Sequence, residues 1–151
     1  MAGIEYDRPE RDAGAGAPRA CPHCRQADQL RAVQAVFLEG HRHVRTESGT
    51  GDQRHAVTRE VVSRLARALA PAPPNRAYRA RTEPGLAAAE RLWARGWYCG
   101  RCARAHFEGE SAALTLQEFR VRVWTAGGYG DLAEAHPAVD LHVALRPDAS
   151  Y

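Results

Sequence analysis

"GWYCGRCARAHFEGE", residues 96–110, sets two cysteines three positions apart between two short runs of β-forming and aromatic residues. The pattern reads as a strand, a tight turn and a returning strand, with Gly100 suited to the turn. One such pair cannot fill a tetrahedral metal site. The only other cysteines, Cys21 and Cys24 in "RACPHCRQ", repeat the spacing near the other end of the chain. Two residues between thiols let both sulfurs reach one ion from a single turn, and two such pairs make four ligands. Cys21, Cys24, Cys99 and Cys102 are therefore the expected ligands of one structural zinc ion, provided the pairs meet within one chain.

Both pairs adjoin predicted strands, and "CPHC" and "CGRC", with "WY" before the second and "AHF" after it, resemble the zinc-ribbon family. That resemblance implies two β-hairpin knuckles clamping one metal, a four-cysteine site and no catalytic role for the ion. It directly covers about 35 residues around the knuckles. The departure is the interval, since 74 residues separate Cys24 from Cys99. An inserted helical arm fits that length. The chain also resembles bacterial ribbon proteins with a "LARALAPAPP"-like segment between their halves, which implies the same insert and no activity.

Working outward, "LRAVQAVFLEG" after the first pair is rich in β-formers and reads as a strand. "HRHVRT" extends it or pairs back, and "ESGTGDQ" supplies a turn. "TREVVSRLARALAPAPP" predicts a helix capped by Thr58 and ended by Pro71, Pro73 and Pro74. Val61, Val62, Leu65 and Leu69 lie on its apolar side, with Arg59, Arg64 and Arg67 outside. "TEPGLAAAERLWARGW" predicts a second helix, with Pro84 at its start and Gly96 past its end. Thr115-Leu-Gln-Glu118 is a capping box opening a helix that carries Leu116, Phe119 and Val123, although "FRVRVW" also alternates as a strand would. "DLAEAH" adds a helical turn and "VDLHVAL" a short strand. The expected organisation is a flexible tail (1–20), a ribbon (21–110) interrupted by a helical insert (about 57–96), and a C-terminal extension (111–151). The fold class is α+β: a small four-cysteine zinc ribbon with an inserted helical arm and a short helical extension.

The chain has 151 residues and a net charge of +3, unevenly spread. Residues 1–18 carry −2, residues 19–104 carry sixteen arginines against seven acids, and residues 105–151 carry −4. Every basic residue is arginine, a sign of coding bias as well as of anion binding. The positive charge still concentrates between the knuckles, where it can meet nucleic acid or the chain's own acidic tail. Arg59, Arg64, Arg67 and Trp97 are the candidate nucleic-acid contacts, with Trp93 and Tyr98 nearby as metal-site cover or stacking groups. No apolar run is long enough to span a bilayer and the N-terminus lacks a signal's apolar stretch, so a cytoplasmic protein without membrane contact is expected.

Competing chemistries fit less well. "CPHC" is also a dithiol motif of thioredoxin-like oxidases, but here no core strand precedes it. His106-Phe-Glu108 resembles half of a zinc deaminase signature, yet no Cys-x-x-Cys follows, leaving a polar pair on the return strand. His41 and His43 would share a strand face, and with His55 they lack the Asp-His and helix-borne His of a ββ-metal nuclease. His23 reads as knuckle filler. The sequence thus predicts a non-enzymatic, zinc-dependent binding or regulatory protein without a small-molecule substrate. Its partner is nucleic acid or a nucleic-acid-bound assembly, or alternatively another protein in an adaptor role. A thiol oxidoreductase or nuclease is the enzymatic alternative.

Overall fold

The computed structural model describes residues 20–45 and 53–138, with side chains from 20 to 40 and from 61 to 138. The predicted tail and the "VDLHVAL" strand lie outside the described residues. The mixed α+β class is what the structure shows. A three-stranded antiparallel sheet, ordered β1-β2-β3, sits among helices: β1 (Leu30–Ala32), β2 (Gly96–Cys99) and β3 (Arg104–Phe107). Leu30 pairs with Cys99 and Ala32 with Trp97, while Gly96 pairs with Phe107 and Cys99 with Arg104. The predicted strand–turn–strand at 96–110 is therefore present. At the first knuckle a strand follows the cysteine pair, as expected, and the chain before residue 20 lies outside the described residues.

The largest correction lies just after β1. Only Leu30–Ala32 is extended; Val33–Arg45 forms a helix, α1. Val33, Val36 and Gly40 fall at helical spacing and are buried, so packing has overridden the β propensity of the segment. His41 and His43 therefore lie in a helix, where residues two apart do not share a face. The next helix, α2, spans Gln53–Leu69 and begins five residues before the predicted Thr58 cap, which is an interior position. Leu65, Ala68 and Leu69 are buried while Arg64 and Arg67 are exposed, as its amphipathic pattern predicts. α1 and α2 form an intimate pair. A Cβ at Gly40 would collide with that of Ala66 and lie 3.2 Å from the Val62 carbonyl oxygen.

After the prolines, a 3₁₀ turn (Arg76–Tyr78) capped by Asn75 leads to a one-turn helix, α3 (Arg79–Thr82). A second 3₁₀ turn, carrying Pro84, then opens α4 (Leu86–Trp93). The helix predicted for 82–97 is thus present, with its opening turn, which carries Pro84, in 3₁₀ form. The capping box at Thr115 forms as expected: Glu118 N–H donates to Thr115 Oγ1 over 3.2 Å, and Thr115 N–H to Glu118 Oε2 over 2.9 Å. It starts α5 (Leu116–Ala126), so "FRVRVW" is helical, and α6 (Gly130–Ala135) follows.

These elements share one core. Phe107 of β3 stacks on Phe119 of α5 with ring centroids 4.8 Å apart, and Val33, Leu69, Val123, Trp124 and Tyr129 are fully buried around them. The C-terminal helices also complete the end of α2. No glycine closes that helix; the Arg67 carbonyl in its last turn, and those of Ala70 and Pro71 just beyond it, are bonded by side chains from far along the chain. The buried guanidinium of Arg120 donates to the carbonyls of Arg67 and His136, at 2.5 and 2.6 Å, and lies over the Trp124 ring. Trp124 Nε1 donates to the Ala70 carbonyl over 2.8 Å, and the Tyr129 hydroxyl to that of Pro71 over 2.5 Å.

Candidate metal centre

The sheet register brings the knuckles together. Pairing of Leu30 with Cys99 sets the segment after Cys24 against the strand that ends in the second pair, and Gly100 N–H donates to the Gln29 carbonyl over 3.0 Å. The two turns repeat one backbone pattern. Arg25 N–H donates to the Cys21 carbonyl over 2.8 Å, and Ala103 N–H to that of Cys99 over 2.9 Å. Arg25 and Ala103, each directly after the second cysteine of its pair, adopt positive φ of 60° and 54°. An ion pair between Arg101 and Asp28 crosses from one knuckle to the other and holds the Asp28 carboxyl below its ordinary range.

All four sulfurs lie within 4.8 Å of one another. Cys21 Sγ is 3.6 Å from Cys102 Sγ, and Cys24 Sγ is 3.7 Å from Cys99 Sγ, so each close contact joins opposite knuckles. Those separations exclude disulfides, whose sulfurs sit about 2.0 Å apart. They match the edge of a tetrahedron with Zn–S bonds of about 2.3 Å, which is about 3.8 Å. The residues therefore fit a four-coordinate metal. Cys21 and Cys99 are buried, and Cys24 and Cys102 partly so.

Electrostatics point the same way. Burial, reinforced by the Cys21 and Cys99 thiols, pushes the Cys102 thiol up to about 12. Burial also opposes ionisation of Cys21, but the amides of Cys24 and His23, with the Cys102 and Cys24 thiols, outweigh it and hold that group below its ordinary value. Four clustered sulfurs cannot all become thiolates without a compensating cation, and a divalent metal supplies one as its bound protons leave.

The other predicted site residues are more scattered. Trp97 is half-buried in the middle strand, paired between Ala32 and His106. Trp93 is buried edge-on against Phe37 of α1, with centroids 5.1 Å apart, in a packing role. Tyr98 is buried, and that burial, followed by the Cys99 and Cys102 charges, pushes its hydroxyl up to about 12. His106 is on the return strand as expected but only 2% exposed, its Nε2 without a hydrogen-bond partner, and burial lowers its pKa. His23 is exposed in the first knuckle. The Arg59 side chain lies outside the described residues. Sequence reasoning did not single out Arg25, Asp28, Arg101 or Ala103. The positions following each Cys-x-x-Cys were the available signal for Arg25 and Ala103. Among the described residues no helix is long and apolar enough to cross a membrane. Comparison of the chain with family models, curated proteins and solved structures finds no match.

Proposed function

We propose that this protein is a non-enzymatic binding module held together by one structural zinc ion. In this reading it engages nucleic acid, or an assembly built on nucleic acid, through the arginine-rich segment between its knuckles. The observation that carries it is the cross-knuckle set of four sulfurs at tetrahedral spacing. When bound, zinc supplies a cross-link and charge neutralisation. Four thiolates fill its coordination sphere and leave no position for a substrate water. The chain's own residues do the rest: Arg101 and Asp28 clamp the knuckles, and knuckle amides donate to sulfur.

The partner is argued from charge. Arg64 and Arg67 are exposed on the side of α2 away from buried Leu65, Ala68 and Leu69. Arg76, Arg79 and Arg91 are exposed in the same insert and form no ion pair with any described residue. Arginines that neutralise phosphate give binding that weakens steeply with salt. The test has two parts. Metal analysis of the native protein should give one zinc per chain. A salt titration of a fluorescent oligonucleotide should show binding at low salt that weakens, with a shallower slope, when Arg59, Arg64 and Arg67 are all changed to Gln. No binding by the wild type removes the nucleic-acid reading and leaves the protein adaptor, which an apolar groove beside the same helix favours.

A further inference from the structure

The groove runs between α1, α2 and the proline segment. Phe37, Ala66, Ala70, Pro71, Leu86 and Trp93 line an apolar lobe of about 500 Å³, with Arg67 and Glu90 as its charged groups. A second lobe of about 300 Å³ continues it, sharing Ala72, Pro74 and Leu86 as walls. That second lobe is more polar than the first: Arg76, Arg79, Asn75 and Glu83 stand along it, and neither arginine forms an ion pair with a described residue. The channel thus passes from aromatic and aliphatic walls to two guanidinium groups that share their lobe with Glu83 but form no ion pair with a described residue.

Two further observations define the occupant. Neither lobe is an enclosed cavity; both stand half open to solvent. A small molecule needs most of its surface covered, whereas a polypeptide can leave one side in water. The wall between the lobes is also pre-set. Pro71, Pro73 and Pro74 fix their φ angles, and the Ala70 and Pro71 carbonyls are held from behind by Trp124 and Tyr129. Little order is lost when a ligand settles on such a wall.

We propose that this groove docks a peptide segment of a partner protein. Its apolar side chains enter the Phe37–Trp93 lobe, and its adjoining carboxylates meet Arg76 and Arg79. The apolar walls offer phosphates no partner beyond Arg67, which shares the lobe with Glu90, so a nucleic-acid strand fits this channel less well than a peptide carrying both apolar and acidic residues. The proposal rests on the binding-module reading; it assigns Arg76 and Arg79 to the peptide rather than to nucleic acid, and Arg67 of α2 borders the same channel.

The probe is a phage-displayed random-peptide library selected on the zinc-loaded full chain, followed by fluorescence polarisation with the enriched peptides. The expected result is enrichment of aromatic or aliphatic residues next to Asp or Glu. The double variant Arg76→Glu/Arg79→Glu and, separately, Leu86→Gln should each weaken binding at least about tenfold, with zinc content and Tm held near wild type. Unenriched selections, or peptides bound equally by both variants, overturn the proposal. So does displacement of the peptide by an oligonucleotide, which would make the channel a nucleic-acid site. Displacement by octanoate, with no preference for acidic peptides, would make it a small-molecule site. Oligonucleotide binding without peptide binding ends this inference alone; peptide binding without oligonucleotide binding ends only the nucleic-acid reading.

Discussion

Arg25 and Ala103 hold the left-handed conformation that a side chain resists, at equivalent points of two knuckles that need it to turn the chain back toward the metal. Arg25 is exposed, so its replacement disturbs no packing. Arg25→Gly should raise stability by about 0.5 kcal/mol, the relief of strain being partly offset by the freer unfolded chain. Arg25→Val should cost about 1 kcal/mol or more. Denaturant titrations of the zinc-loaded variants measure both. His106 offers a second test. Its folded pKa lies below the ordinary 6.5, so the unfolded state binds more protons between the two values. Its contribution is therefore complete above 6.5 and is lost as pH falls toward the folded value. His106→Leu should flatten stability in that window, and its difference from wild type separates this effect from proton competition at the cysteines. At this scale the sequence was most legible where chemistry is local. The cysteine spacing and the Thr115–Glu118 cap could be read directly, whereas the burial of His106 depends on β3 lying under elements far along the chain.

Elements were legible where their signals agreed and misread where they conflicted. The hairpin at 96–110 carries aromatic strands and a glycine turn, and it formed as read. Residues 33–40 carry β-formers on a helical spacing, and nothing local decides between them. The deciding contact is Gly40 against Ala66, which lets α1 and α2 approach. Gly40→Ala should therefore destabilise by about 1–2 kcal/mol, although alanine is the better helix former, because a Cβ there forces the helices apart. Thermal melts followed by circular dichroism decide the sign, and a stabilised variant would show the helices can separate at no cost. α2 shows the opposite limit: its stop at the prolines was plain, but the carbonyls at and just beyond its end are satisfied by Arg120, Trp124 and Tyr129, residues with no sequence proximity to it. Arg120→Met should cost about 2–3 kcal/mol, since it strips charged donors from two carbonyls of partly buried groups.

For the whole molecule, the metal centre sets the response to chelation. Cys99→Ser should lose bound zinc and much of the cooperative unfolding transition, because binding and folding draw on the same free energy. Zinc affinity should rise with pH as protons stop competing for sulfur, most of all at Cys102, whose thiol holds its proton to about 12. A metal-free protein with an unchanged Tm would contradict the site. The ring that the knuckles close also bears on the order in which the chain folds. Three packed pairs are adjacent in sequence: α1 with α2, β2 with β3, and α5 with α6. The pairing of β1 with β2, like the contacts of α2 with α5, joins residues on either side of a long excursion. Closing a ring of that size in an unlinked chain costs about 4 kcal/mol of loop entropy. Local hairpins should therefore appear early and β1 should dock last. Zinc held by one knuckle before the other arrives would turn that slow search into a short one, so refolding should accelerate with zinc while the early helical signal keeps its rate.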